Sequence, residues 1–268
     1  KILSKNGKII LRIPNYFNFY MFLVGKNFLK YDYRQSHNYY FSEKNLDLIF
    51  KNLNFNISNG EFACIFGPSG CGKTTLLNII SGLDNQYRGQ INLNGIGSKN
   101  KISYLFQSPR LFPWMTVAQN VAFPIKKEKN SKKIALNLIK QVGMEKFANS
   151  FPNKLSGGMR KRISLARSFS NNPSILLLDE PFISLDKKSA VQLRNFLINL
   201  WKKNKPTIIF VTHDLDEAIE LSDRIIFLSN SPAKILLDYK IKIKRPRKKY
   251  QKAKNSLKRL LSASVIKI

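Results

Sequence analysis

The stretch that decides the fold is FACIFGPSGCGKTTLLNIISGL, residues 62–83. Its apolar start, Phe62–Phe66, predicts a buried strand, and the apolar spacing from Lys73 onward predicts a helix that ends at Gly82. Between them GPSGCGKT fits G-x-x-x-x-G-K-[ST], and a strand before and a helix after are the context that makes this pattern a phosphate-binding loop. A chance glycine-rich turn is the alternative, and the correct flanks argue against it.

The residue types of this loop suit a nucleoside triphosphate. Glycines let backbone N–H groups curl around a β-phosphate, and the helix N-terminus adds partial positive charge. Lys73 is placed to reach the β- and γ-phosphate oxygens, and the Thr74 hydroxyl is placed to ligate Mg²⁺. The predicted nucleotide-binding residues of the loop are Gly67, Pro68, Ser69, Gly70, Cys71, Gly72, Lys73, Thr74 and Thr75.

A second apolar strand, ILLLDE from Ile175 to Glu180, ends in two carboxylates. We expect Asp179 to hold Mg²⁺ through its water shell and Glu180 to act as the general base for a water that attacks the γ-phosphate. An acidic pair at a strand end is common, so this assignment depends on the phosphate loop being present as well.

Three further polar residues lie near predicted strand ends. Gln107 follows ISYLF, where its amide can sense Mg²⁺ or the attacking water. His213 follows TIIFVT, where its imidazole can contact the γ-phosphate, and Asp186 closes the short segment SLD. Each of them alone is better explained by a structural role such as capping, and only their order along the chain favours catalysis.

LSGGMRKR, Leu155–Arg162, predicts a second phosphate-binding helix start. The Ser156 hydroxyl, the N–H groups of Gly157 and Gly158 and the helix dipole can together bind a γ-phosphate. One chain already encloses that phosphate in the loop at Gly67, so the second site has no phosphate to bind within the same chain.

Composition narrows the class of protein. Apolar residues make up 43% of the 268 residues, which favours a globular chain, and no apolar run reaches the roughly 18 residues that span a bilayer. Cys64 and Cys71 have no metal-ligand spacing with His37 or His213, so we expect reduced cysteines in the cytosol. The alternation of apolar strands with helices predicts an α/β fold with a parallel sheet buried on both faces and an inserted helical lobe.

The net charge of +30 has two competing explanations. One is a Lys-, Asn- and Ile-rich composition with no function, and the other is attraction to an anionic membrane surface. Nucleic acid ranks below both as an explanation, because no recognised nucleic-acid motif accompanies the charge. In the tail, Leu257, Leu260, Leu261 and Val265 share one helical face, which predicts either an amphipathic helix on a membrane or an ordinary docking helix.

With these motifs in order, residues 40–247 resemble the nucleotide-binding subunit of ATP-binding cassette (ABC) transporters. The resemblance implies a P-loop NTPase with a RecA-like core, an antiparallel β subdomain and an inserted α-helical subdomain. It implies an ATPase that works as a head-to-tail dimer with ATP and Mg²⁺. Ser156, Gly157 and Gly158 then contact ATP held by the facing subunit, and Asp186 is a further nucleotide-binding residue. Tyr40 stacks on adenine, with Tyr39 and Phe41 as alternatives.

The same resemblance divides the chain. Residues 1–42 form a basic and aromatic extension, residues 43–240 form the ATPase domain with its helical subdomain at about 108–167, and residues 241–268 form a basic tail. The extensions are atypical of the family, and Ile183 is bulky where the family usually has a small residue.

FPWMTVAQNV and DEAIELSDRIIFLSNSPAKI are similar to the nitrate, sulfonate and taurine import group. This implies import of a small anion through an integral membrane permease, a periplasmic or extracellular solute-binding protein, and a peripheral location at the cytoplasmic face of the inner membrane. The second ATPase subunit is either an identical copy or a different cassette. We expect the apolar segment around Phe112 and Trp114 to receive the permease, unless it forms the core of the helical lobe.

A non-transport ABC ATPase is the alternative class. Single-cassette length argues against translation factors, and about a hundred residues between Lys73 and Asp179 leave no room for the coiled coil of chromosome and repair proteins. An iron–sulfur cluster assembly ATPase is the alternative that the sequence leaves open.

Overall fold

The structure is a computed structural model that describes residues 53–85, 87, 89–93, 101–245, 247, 254, 255, 257 and 259. Its strands are β1 (Phe62–Phe66), β2 (Ile102–Leu105), β3 (Ile175–Asp179), β4 (Thr207–Thr212), β5 (Arg224–Leu228) and β6 (Ile235–Lys240). Its α-helices are α1 (Lys73–Ser81), α2 (Val117–Ala122), α3 (Ser131–Gln141), α4 (Gly157–Ser170), α5 (Lys187–Asn204) and α6 (Leu215–Leu221). Short 3-10 turns lie at Phe123–Ile125, Glu145–Phe147 and Pro152–Lys154.

The six strands form one sheet in the order β2-β3-β4-β1-β5-β6. All neighbours are parallel except β5 and β6, which are antiparallel. Every residue of β1, β3 and β4 is buried, because helices cover both faces of the sheet. Successive residues of β1 alternate between the two core clusters: Phe62 and Cys64 face one cluster, and Ala63 and Ile65 face the other.

The sheet brings three functional chain segments to one edge. Since β1, β3 and β4 are parallel and adjacent in the order β3-β4-β1, their carboxyl ends meet there, with Asp179 beside Val211 and Phe66 beside Thr212. The loop after β1, the carboxylates after β3 and the histidine after β4 therefore lie close together, which is the general location of ligand sites in open α/β sheets.

Three helices, α2, α3 and α4, pack against one another between β2 and β3 in the chain order. Buried apolar residues join them, including Val121, Ile139 and Ile163, each fully buried. Helix α4 also contacts β2 and α5, so it connects this helical lobe to the sheet.

The alternating sequences LDLIFKNLNFNISNG, residues 46–60, and GQINLNG, residues 89–95, predict two strands at the start of the domain. Neither is a strand over the residues that the structure describes. Residues 53–58, ahead of the turn at Asn59 and Gly60, and residues 89–93 carry no strand pairing. An extended segment forms a ladder only with an aligned partner strand. The remainder of both predicted strands, together with Tyr39, Tyr40 and Phe41, lies outside the described residues, so the predicted antiparallel pairing is not found among residues 53–58 and 89–93.

Several residues beyond Lys240 belong to the packed structure. Ile241 and Leu257 are buried in the larger core cluster. Arg247 is 6% exposed and donates hydrogen bonds to the carbonyls of Ile219 (2.8 Å) and Ser222 (2.6 Å) at the end of α6. Burial at Leu257 favours the docking-helix explanation of the tail; Leu260, Leu261 and Val265 lie outside the described residues. Within the described part of the chain, no helix combines the length and apolar character needed to cross a membrane.

Candidate nucleotide-binding site

The loop Gly67–Thr74 turns back between the end of β1 and the start of α1, and close packing explains two of its glycines. A Cβ at Gly67 would lie 2.9 Å from the Cys71 Sγ and 3.3 Å from the Leu228 carbonyl oxygen, so no side chain fits there. Gly72 caps α1 with φ of 99°, a left-handed conformation that favours glycine. A Cβ at Gly70 would meet no described residue within 4 Å.

Lys73 fills the centre of this loop. Its side chain is 5% exposed, and its Nζ donates hydrogen bonds of 2.8 Å to the carbonyls of Gly67 and Pro68. The same Nζ lies 4.0 Å from Glu180 Oε1. The ammonium is thus held between the phosphate loop and the carboxylate that follows β3.

Thr74 and Asp179, two of the predicted Mg²⁺ ligands, face each other across the site. The Thr74 hydroxyl donates to Asp179 Oδ1 at 3.1 Å. Burial raises the pKa of Asp179, and the hydrogen bond from Thr74 opposes that rise. Asp179 is 4% exposed, so its carboxylate charge is buried and needs a counter-charge.

Tyr104 is a site residue that sequence reasoning missed. Its hydroxyl lies 3.1 Å from Asn78 Oδ1 and 3.4 Å from Asp179 Oδ2, and its ring stacks on Phe106 at 4.1 Å. Burial, followed by the Asp179 charge, raises the pKa of Tyr104, so the phenol stays a neutral donor. The polar hydroxyl of Tyr104, on the strand that leads to Gln107, was the available signal.

Glu180 and His213 come together as the strand order requires. His213 Nδ1 lies 3.1 Å from Glu180 Oε1, and the imidazole is half exposed. Glu180 has φ of 41°, a left-handed conformation that is strained for a residue with a Cβ. Its N–H donates to the Val211 carbonyl at 3.1 Å, which fixes the turn against β4.

A further carboxylate, Glu217, interacts with His213 and with the Thr212 side chain next to it. The Thr212 hydroxyl donates to Glu217 Oε2 at 2.8 Å, and Arg194 Nη1 lies 3.9 Å from Oε1. Burial raises the pKa of Glu217 to about 7. The helical run LDEAIEL gave no sign from sequence that this residue would be buried beside the histidine.

The start of α4 is placed on the surface. Ser156 is the N-cap, and its hydroxyl accepts from the Met159 N–H at 3.2 Å. Ser156 and Gly157 are exposed and Gly158 is half-buried. Within the part of the chain that the structure describes, a Cβ at Gly157 would meet nothing within 4 Å, and one at Gly158 would meet only ordinary contacts from 3.6 Å outward.

The remaining predicted residues, Gln107 and Asp186, lie just after β2 and at the start of α5. Gln107 is exposed two residues after β2, and among the described residues it makes no hydrogen bond to Asp179 or Glu180. Asp186 is the N-cap of α5 and accepts from the Ser189 N–H at 2.9 Å, so its carboxylate already has a structural use. A hydrogen bond from the Ser189 side chain, followed by the one from its N–H, lowers the pKa of Asp186.

The donor set fits Mg²⁺ bound together with a nucleotide. Among the described residues, no group of three His, Cys, Asp or Glu side chains could hold a metal ion alone. Mg²⁺ keeps several waters and is usually bound by one or two protein ligands plus substrate phosphates. Thr74 and Asp179 supply such a pair of oxygens beside the phosphate loop.

A phosphate loop after the first strand of a parallel sheet, with an acidic strand end beside it, defines the class: the chain is a P-loop NTPase. An ABC transporter family model matches residues 50–183. The aliphatic sulfonates import ATP-binding protein SsuB of a Bacillus cereus strain is 43% identical over 205 residues, 75% of this chain and 82% of that protein. The chain therefore belongs to the ATP-binding proteins of ABC transporters, and it is an ATPase that binds ATP.

Two other similar proteins agree with this family. The uncharacterized ABC transporter ATP-binding protein MJ0412 of Methanocaldococcus jannaschii is 44% identical over 203 residues, 73% of this chain and 76% of that protein. The ATP-binding cassette MJ0796, solved as a dimer in a post-hydrolysis state bound to ADP and Pi, matches with a TM-score of 0.63 and 35% identity over 73% of this chain and 92% of its own. The family and the fold class predicted from the sequence are confirmed.

Proposed function

We propose that this chain is the ATP-hydrolysing subunit of an importer for a small anion such as a sulfonate, taurine or nitrate. It works as a head-to-tail dimer bound to a membrane permease, at the cytoplasmic face of the inner membrane, with a solute-binding protein delivering the anion. The sulfonate import assignment of the SsuB relative supports the substrate class, and the dimeric state of the MJ0796 cassette supports the assembly.

The observation that carries the dimer is the surface position of Ser156 and Gly157. Alanine at this position would be more stabilising than glycine, and no described residue lies within 4 Å of where a Gly157 Cβ would be. A helix N-terminus with free backbone N–H groups binds phosphate. The facing subunit's ATP is the phosphate that this surface would contact, and Asp186 lies at the start of α5 on the same proposed interface.

The chemistry follows from the contacts at the strand ends. Glu180 accepts the proton of the attacking water, and His213, 3.1 Å from Glu180, orients that carboxylate and donates towards the γ-phosphate. Lys73 exchanges its carbonyl partners for β- and γ-phosphate oxygens and stabilises their charge. Mg²⁺ held by Thr74 and Asp179 would neutralise phosphate charge, and the Gln107 amide approaches that site once the loop after β2 moves inward.

Replacing Glu180 by Gln tests the assignment. The amide keeps the size and the contact with His213 but cannot accept a proton, so ATP should bind while turnover falls by about 10²–10⁴-fold. Size-exclusion chromatography with ATP should show a trapped dimer that wild type does not accumulate. Replacing Ser156 by Arg should spare ATP binding and abolish hydrolysis. Added to Glu180→Gln, the same substitution should abolish the trapped dimer. Normal turnover in Glu180→Gln would end the proposed mechanism.

The permease is proposed to bind an aromatic patch made of Phe112, Trp114 and Phe123. Trp114 is 62% exposed, and Phe112 contacts both other rings, at 5.6 and 4.7 Å. Buried Asn120 holds the loop rigid: its Oδ1 accepts from the Phe112 N–H at 2.8 Å, and its Nδ2 donates to three carbonyls. A preformed exposed aromatic patch is typical of a protein interface.

Copurification tests the partner. Trp114→Asp should keep the melting temperature and the basal ATPase rate while losing a multi-span membrane protein that copurifies with wild type. A membrane protein retained by Trp114→Asp would remove the patch, and the absence of any membrane partner from wild type would favour a non-transport ATPase.

A further inference from the structure

Lys161 lies in the second turn of α4, and its side chain reaches the turn that follows Glu180. Its Nζ donates hydrogen bonds to the carbonyls of Pro181 (3.1 Å) and Ile183. These two residues form the turn that directly follows Glu180. A lysine on the helix that starts at Ser156 therefore holds the backbone beside the proposed general base.

The turn needs such a contact because its backbone is strained. Glu180 has φ of 41° and Ser184 has φ of 59°, both left-handed for residues with a Cβ. Strained conformations of this kind persist only where neighbouring groups fix them. The hydrogen bond from the Ile183 N–H to the Glu180 carbonyl, at 3.3 Å, closes the turn from within, and Lys161 fixes it from outside.

The charges around Lys161 favour the same role. Burial lowers the pKa of Lys161, while the carboxylates of Glu217 and Glu180 act in the opposite direction. A half-buried ammonium with two carbonyl acceptors and two nearby carboxylates is a fixed electrostatic element rather than a solvated surface charge.

We propose that Lys161 is a positioning residue: it ties α4 to the turn after β3 and so holds Glu180 of its own chain in the geometry for hydrolysis. The proposal rests on the proposed function of Glu180. Ser156 and Gly157 begin the same helix. A contact between the facing subunit's ATP and that helix start would therefore act, through one turn of α4 and Lys161, on Glu180 of this chain. The two ATP sites of the dimer would then be coupled through α4.

The first test compares three variants of the purified full-length chain. Lys161→Met, which removes the donor, should lower kcat by about tenfold with KM for ATP within twofold and a cooperative melt retained. Lys161→Arg, which keeps donors and charge, should restore kcat to within twofold. Lys146→Met is the matched control, because it removes an exposed lysine from the same helical lobe. A kcat for Lys161→Met within twofold of wild type, or a failure of Lys161→Arg to restore it, would overturn the proposal.

Mixed dimers decide which site Lys161 serves. With Lys161→Met and Glu180→Gln on the same chain, activity should match that of a dimer carrying Glu180→Gln alone on one chain. With the two substitutions on opposite chains, activity should be about tenfold lower. Equal activity of the two mixed dimers would indicate a general structural role and refute the proposal. If one Glu180→Gln chain abolishes hydrolysis at both sites, the three single variants alone test the proposal. Wild-type turnover of the Glu180→Gln homodimer would instead show that the proposed function of Glu180 is wrong.

Discussion

Replacing Gly157 by Ala should make the isolated chain more stable and the enzyme less active. Gly157 is the first residue of α4 and is exposed, and a Cβ there would meet nothing within 4 Å. Its backbone is not in the left-handed region, so alanine adopts it without strain. Replacing glycine at a compatible position stabilises by about 0.4–1 kcal/mol, chiefly by lowering the entropy of the unfolded chain.

The size of both effects follows from the same geometry. For a domain of this size, that gain raises the melting temperature by about 1–4 °C. The added methyl group lies where the proposed dimer places the facing subunit's γ-phosphate, and a displacement of about 1 Å at a reacting group can lower the rate by about 100-fold. Thermal melting without nucleotide measures the first effect, and steady-state ATPase measures the second.

A double variant separates binding from closure. Glu180→Gln with Gly157→Ala should bind ATP at its own phosphate loop with unchanged affinity, yet it should stay monomeric in ATP, whereas Glu180→Gln alone dimerises. Wild-type turnover in Gly157→Ala would refute a phosphate contact at this helix start. A lower melting temperature would refute the claim that the chain itself leaves this space empty.

Three more substitutions test other parts of the structure. Arg247→Met should lower the free energy of unfolding by about 2–4 kcal/mol in denaturant titration, because the carbonyls of Ile219 and Ser222 at the end of α6 lose their donor. Lys244→Met removes an exposed lysine nearby and should change the free energy of unfolding by less than about 0.5 kcal/mol. Burial raises the pKa of Glu217 from 4.5 to about 7. The free energy of unfolding that this group contributes is therefore fully present below about pH 4.5 and is lost as the pH rises through 7. Between pH 5 and 8, wild type should lose about 1–3 kcal/mol of stability that Glu217→Gln keeps. Gly67→Ala should cost about 1–3 kcal/mol and remove the thermal shift that ATP gives wild type, since its methyl group meets the Cys71 Sγ at 2.9 Å.

Local motifs predicted the phosphate loop well, because its function depends on residues adjacent in sequence. The strand Phe62–Phe66, the loop and the helix from Lys73 all lie within 20 residues, and the structure places them as predicted. The strands that end near Asp179 and His213 were also predicted, since a fully apolar run in a parallel sheet is distinctive. The roles of these residues stay predictions until variants are measured.

Predictions for edge structure were weaker. Residues 53–58 and 89–93 have strand-like sequences but form no ladder in the described structure, because pairing depends on a partner that no local pattern specifies. The run of basic residues after Lys240 was predicted to be a tail, yet Arg247 and Leu257 are buried against α6 and the core. A charge count gives no information on which basic residues find acceptors.

The sequence by itself determined the α/β class, the phosphate loop, the acidic strand end and the family, since each is carried by a contiguous motif of defined chemistry. Only the tertiary structure decided which distant residues share the site. Tyr104 contacts Asp179, Arg194 lies 3.9 Å from Glu217, and Lys161 holds the turn after Glu180. These contacts join residues far apart in the chain, and the physical reason is the sheet order: parallel strands bring their carboxyl ends to one edge, and packing of α4 against that edge selects the side chains that meet there.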